Sequence, residues 1–130
     1  MKRINPENVW KPSGFVHATI NGTLLITAGQ TGRDITGTIV SDSFGDQARQ
    51  ALKNVKNIVE SQGKSLDDVM KLTLYVKDLR YQKEFIQILN EFFSPEKRPA
   101  ITLVGITGLG DERQLVEVEA IVDLSQFCQV

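Results

Sequence analysis

Apolar residues recur at helical spacing along residues 44–62. Phe44, Ala48, Ala51, Leu52, Val55, Ile58 and Val59 form one stripe and predict an amphipathic helix. Ser43 with Asp46 resembles a capping box, with aspartate in the usual glutamate position. Gly63 is placed to stop the helix in a left-handed conformation. Ser65 caps a short helical turn over 65–69. A second stripe, Tyr81, Phe85, Ile88, Leu89 and Phe92, predicts a helix over 81–93, ended by Ser94-Pro95 because the residue before proline avoids helical geometry. The remaining apolar segments read as strands. Residues 15–20 and 23–28 flank Asn21-Gly22, the strongest short hairpin signal. Residues 69–76, 100–106 and 114–124 complete the set, and a glycine-punctuated loop from Gly29 to Ser43 is too long for a tight turn.

The order β-β-α-β-α-β-β predicts an α+β fold, a β-sheet with two helices packed on one face. Two helices cover only one side of a sheet of about five or six strands. Ile101, Leu103 and Gly105 lie on one side of their strand, and Thr102, Val104 and Ile106 on the other. Both sides are partly apolar, so both faces call for cover. Self-association is the economical way to supply it.

Composition narrows the function classes. With 130 residues, no internal repeat and no low-complexity segment, the expectation is a single domain over 1–130. Fifteen basic residues oppose sixteen acidic ones, for a formal charge of -1. That balance offers no excess to neutralise a phosphate backbone and disfavours nucleic acid as a partner. No apolar run approaches the roughly 18 residues of a membrane span, so no membrane partner is expected. Residues 1–12 lack an apolar signal region, and the single cysteine, Cys128, excludes an internal disulfide framework and a cysteine-rich zinc site. Both point to the cytoplasm. A lone histidine, His17, excludes a histidine-rich metal site and reads as a satisfied sheet residue rather than a catalyst.

Three stretches together resemble the RidA/YjgF family, also called the reactive intermediate deaminase or endoribonuclease L-PSP family. They are Ile26-Thr27-Ala28-Gly29-Gln30; Gln47 to Val55 followed by Tyr75-Val76-Lys77-Asp78-Leu79; and Arg98-Pro99-Ala100 with Leu115 to Ala120. Their order and spacing match over roughly residues 13 to 124. The resemblance implies a mixed β-sheet backed by two helices in a chorismate mutase-like, YjgF-type fold, and a homotrimer whose sheets meet in a central barrel. Ligand clefts are implied between subunits, and no metal or organic cofactor. Members of the family hydrolyse enamines and imines derived from amino acids to ketoacids and ammonia. The implied ligand is a small molecule, a carboxylic acid or an imine.

Several family positions differ here. The arginine that follows Pro-Ala and holds the substrate carboxylate is Ile101, the cysteine two residues on is Leu103, and the asparagine of the second helix falls near Ile86. The tyrosine of the first strand is Phe15 and the serine before Gly-Gln is Ala28. A guanidinium cannot be replaced by an aliphatic group without losing charge-assisted hydrogen bonds. Glu117 remains, and inherits from the resemblance the role of positioning or activating the hydrolytic water. Glu117 and Glu119 alternate with valines, so both share one strand face roughly 7 Å apart. A carboxylate near apolar walls has a raised pKa and can act as a general base or acid. Glu119 reads as a structural partner.

Phe15, Ala28, Gly29, Arg33, Ala100 and Ile101 are the expected substrate-binding residues, with Glu117 the catalytic one and no metal ligand among them. Arg33 and Arg98 are the positive charges nearest the motifs, and either would replace the missing guanidinium from a new direction. Gly29-Gln30-Thr31-Gly32 offers backbone amides to an anion but lacks the endings of a P-loop or a dinucleotide fingerprint. Trp10 reads as packing the N-terminal arm, and Cys128 as an inert tail residue. The leading function is a deaminase-like hydrolase. The alternative is a non-catalytic ligand-binding trimer. Ribonuclease activity ranks last, because one histidine provides no acid-base pair.

Overall fold

The computed structural model describes residues 1–125, so Cys128 lies outside the described residues. Six strands form one sheet: β1 (Lys2–Ile4), β2 (Ala18–Asn21), β3 (Leu24–Thr27), β4 (Val69–Val76), β5 (Ala100–Gly105) and β6 (Val116–Asp123). Two helices, α1 (Phe44–Glu60) and α2 (Gln82–Phe92), cover one face. The strand order is β1-β2-β3-β6-β4-β5. All pairs are antiparallel except β4 with β5, which are joined through α2 as a parallel pair requires. The architecture is the expected mixed sheet backed by two helices.

Local chemistry explains the helix ends. The Ser43 hydroxyl accepts from the Asp46 N–H at the start of α1. The capping box does not close, because the Asp46 carboxylate accepts instead from the Ser41 hydroxyl at 2.9 Å. Gly63 has φ +74°, the left-handed conformation that ends the segment after α1. Ser65 and Asp68 form a complete capping box on a 3-10 turn, Leu66–Asp68. A second 3-10 turn, Leu79–Tyr81, leads into α2, which therefore starts one residue later than its apolar stripe.

Leu72, Leu74 and Val76 of β4 and Val116, Val118, Ala120 and Val122 of β6 meet Ala48, Leu52, Val55, Ile58 and Phe85 in the core. The strand residues between them, including Glu117, Glu119, Thr73 and Tyr75, lie on the opposite face. That face also presents Leu24 and Ile26, the latter 51% exposed. The helix-free face is thus mixed, with apolar residues of β3 beside polar residues of β4 and β6.

Three expectations change. Strand β1 was not foreseen; it pairs with β2 through Lys2, Arg3 and Ile4. Residues 15–17 are not strand, because Phe15 and His17 pack edge-on against Trp10, with ring centroids 6.0 and 5.0 Å away. The last strand begins at Val116, since the Leu115 N–H is taken by the Gln47 side chain at 2.9 Å. Among the described residues no helix is long and apolar enough to cross a membrane.

Candidate functional site

Glu117 lies on the helix-free face of β6, where strand alternation puts it beside Glu119. The chain leaving β3 turns across it. An isolated bridge joins Gln30 to Val118, with the Gln30 N–H donating to the Val118 carbonyl at 2.7 Å and the reverse bond at 2.8 Å. This bridge brings Gly29 against the Glu117 side chain. A Cβ on Gly29 would overlap the carboxylate and come within 2.8 Å of the Glu117 Cγ. Only glycine leaves the Glu117 side chain where it stands, for a steric reason unrelated to backbone conformation.

A cleft of about 240 Å³ opens over this contact. Its walls are Trp10, Phe15, Gly29, Arg33 and Glu117, with Thr31, Gly110 and Gln114 completing it. Glu117 is half-buried, and its pKa is raised by burial first and by the neighbouring Glu119 charge second. Glu119 is engaged: it accepts a 2.5 Å hydrogen bond from the Tyr75 hydroxyl, which raises the tyrosine pKa. The two carboxylates therefore differ in kind. One is tied to the sheet and one faces the cleft.

Arg33 lies half-buried across the cleft. Its Nη1 donates to the Gly37 carbonyl at 2.7 Å, and its Nη2 lies 3.5 Å from the Asp111 carboxylate. Its guanidinium carbon is 5.9 Å from the centre of the Trp10 ring.

Buried polar residues hold these groups in place. His17 is fully buried, and burial lowers its pKa. Its Nδ1 accepts from Gln30 Nε2 at 3.0 Å, so its Nε2 carries the proton and donates to the Trp10 carbonyl. His17 thus links the Gly29-Gln30 turn to Trp10 as a neutral structural group. Asn54 donates to the carbonyls of Thr31 (3.2 Å) and Arg33 (2.8 Å). Gln47 donates to the carbonyls of Ser41 (2.8 Å) and Arg113 (2.9 Å) and accepts from Leu115.

Of the expected site residues, Phe15, Gly29, Arg33 and Glu117 meet in this cleft. Ala28 adjoins it through Gly29, its N–H donating to the His17 carbonyl at 2.7 Å. Ala100 and Ile101 do not meet it within the chain. One strand, β4, lies between β6 and β5, and Ile101 pairs with Leu72. Ile101 instead lines a separate pocket of about 220 Å³, with Ile86, Leu89, Phe93, Pro99 and Arg98. Arg98 there donates to the Asn90 side chain at 2.7 Å.

The sequence alone does not mark Trp10, Asn54 or Gln47 individually as site residues. Gln47 and Asn54 had a legible signal: they are polar positions inside the apolar stripe of α1. Trp10 had none, because its place at the cleft rim depends on a loop contact. Among the described residues no group of three or more His, Cys, Asp or Glu could hold a metal ion.

This sheet, its two helices and the glutamate cleft define an α+β class that the comparisons identify more closely. The family model for endoribonuclease L-PSP matches residues 9–124. A RutC family protein of Pyrococcus horikoshii is 40% identical over 117 residues, 88% of this chain and 91% of the relative. The 2-iminobutanoate/2-iminopropanoate deaminase of Escherichia coli is 35% identical over 124 residues, 92% of this chain and 95% of that protein. The crystal structure of the E. coli YjgF gene product superposes with a TM-score of 0.87 at 34% identity, covering 95% of this chain and 98% of that one. The chain belongs to the endoribonuclease L-PSP family, the RidA/YjgF family.

Proposed function

We propose that the protein is a cytoplasmic, homotrimeric hydrolase of small imines and enamines, working in clefts between subunits. The observation that carries this reading is the Glu117 carboxylate, half-buried in an aromatic-walled cleft with its pKa raised by burial. A carboxylate so placed is suited to moving a proton at water. The ionised Glu117 takes a proton from water as the hydroxyl oxygen bonds to the imine carbon. It returns that proton to the nitrogen, which has taken up the C=N electron pair, to give the carbinolamine; it then carries the hydroxyl proton to nitrogen as the C=O bond forms, the C–N bond breaks and ammonia leaves. Phe15, Ala28 and Gly29 shape the near side, and Arg33 supplies its positive charge. Ala100 and Ile101 of the partner subunit close the far side, since within one chain β4 lies between their strand and that of Glu117. The reaction as written needs only water and these side chains.

Related proteins named as 2-iminobutanoate/2-iminopropanoate deaminases support the reaction class. The test is ammonia release from 2-iminobutanoate generated in place, by wild type and by Glu117→Gln. A specific observation favours a second reading, a ligand-binding trimer without catalysis. Ile101, Ile86 and Leu89 make the pocket beside β5 largely apolar, at the strand position where the family resemblance implies an arginine. Tight binding of small carboxylic acids with no ammonia release from any imine would select it. Ribonuclease activity is the weakest reading, as His17 is buried and both its nitrogens are engaged.

A further inference from the structure

Arg33 is the cation lining the cleft, and its surroundings leave it available to an anion. A guanidinium has five N–H groups. The Gly37 carbonyl takes one at 2.7 Å. The Asp111 carboxylate stands 3.5 Å from Nη2, beyond the roughly 2.7–2.9 Å of a charge-assisted hydrogen bond. Both side chains are partly open to solvent, 24% and 39% exposed, so the pair is screened and weak.

Asp111 does not depend on Arg33 for its position. Its Oδ1 accepts from the Arg113 N–H at 2.9 Å, and its own N–H donates to the Gln114 side chain at 3.1 Å. Only Oδ2 faces the guanidinium. Arg33 is likewise held independently, through its carbonyl by the buried Asn54 and through Nη1 by Gly37. The contact between the two charges can therefore be exchanged without dismantling either loop. Arg98, the other cation considered, donates to Asn90 in the apolar pocket beside β5, away from Glu117.

We propose that the Arg33–Asp111 pair is an exchangeable carboxylate site: Arg33 binds the carboxylate of the ligand in place of Asp111, and Asp111 sets how tightly. Arg33 thereby determines specificity for acids over neutral analogues, from the same subunit as Glu117. This rests on reading the cleft as a ligand site, but not on hydrolysis. A carboxylate entering beside Glu117 and Asp111 meets two like charges, and Arg33 is the group that offsets them.

The test is calorimetric titration of the full chain with 2-oxobutanoate and with its neutral amide, alongside melting curves. Wild type is expected to prefer the acid by about tenfold or more, the scale of a charge-assisted pair. Arg33→Gln is expected to abolish that preference. Asp111→Asn removes the competing carboxylate and is expected to bind 2-oxobutanoate several-fold more tightly. This second variant decides the matter if Arg33→Gln melts early. No binding by wild type, a preference that survives in Arg33→Gln, or unchanged or weaker binding in Asp111→Asn overturns the proposal. Ammonia release is read separately. Arg33-dependent binding without hydrolysis keeps this proposal and removes the catalytic one. Hydrolysis with Arg33-independent binding does the reverse.

Discussion

Gly29 touches the Glu117 side chain so closely that no β-carbon fits between them: a Cβ there would sit 2.8 Å from Glu117 Cγ and closer still to the carboxylate. Ordinary contacts between such atoms are near 3.5–4.0 Å. The obstruction is a side chain able to turn, so Gly29→Ala moves the carboxylate rather than the fold. The expected outcome is a stability loss of about 1 kcal/mol. Ammonia release falls by about tenfold or more, because displacement of a reacting group is costly. Urea unfolding and the rate assay on one preparation separate the two effects.

The raised pKa of Glu117 has consequences of fixed sign. Its ionised form is the base, so activity rises with pH through a value above the ordinary carboxylate range. The Glu119 charge is the second cause of the shift, so Glu119→Gln moves this acid limb to lower pH while leaving an acceptor for Tyr75. For folding, a raised native pKa means that the native state holds the proton more tightly than the unfolded chain. Glu117 therefore lowers stability as pH rises from the unfolded carboxylate value through the native one. Glu117→Gln is expected to melt higher than wild type at neutral pH, with the gap closing in acid. Melting curves across pH check it; a lower melting temperature at neutral pH contradicts it.

Gln47 joins three backbone groups from two loops to α1, and it is completely buried. Gln47→Leu keeps much of the volume and leaves two carbonyls and one N–H without their partner. At about 1–3 kcal/mol for each unsatisfied group, the loss is about 3 kcal/mol or more. Gly32 packs against the same residue, where a Cβ would lie 2.7 Å from the Gln47 Cα. Here the neighbour is backbone, so Gly32→Ala is expected to destabilise more than Gly29→Ala. Denaturant midpoints rank the three.

The helix α1, strand β4 and the shared face of Glu117 and Glu119 were legible in the sequence because each rests on periodicity over several residues. Strand β1 was not, since Lys2, Arg3 and Ile4 are too few to show alternation and form a strand only by borrowing the edge of β2. The cleft was legible in part. The family resemblance pointed to Gly29, Phe15, Arg33 and Glu117, which meet there. Motif spacing could not show that Ala100 and Ile101 lie beyond β4, because strand order is a long-range property. The sequence marks Trp10 only as a packing residue of the N-terminal arm. Its ring does pack on Phe15 and His17, yet it also stands over Arg33 at the cleft rim.

The helix-free sheet face, with Leu24 and Ile26 exposed beside polar residues of β4 and β6, calls for a partner. The proposed trimer gives light-scattering mass three times the 14.5 kDa of the chain. Ile26→Glu places a charge on this face and is expected to shift the mass towards the single chain. A wild type that scatters as a monomer at every concentration removes the subunit seam from the account.

The most direct measurement is ammonia release from 2-iminobutanoate, produced in place by a separate enzyme, compared for wild type, Glu117→Gln and no protein. The account predicts a wild-type rate well above the spontaneous one. It predicts a loss of about a hundredfold or more in Glu117→Gln, the usual range for a general base. Equal rates for the variant and the wild type would contradict it, because the carboxylate in the cleft would then have no part in the chemistry.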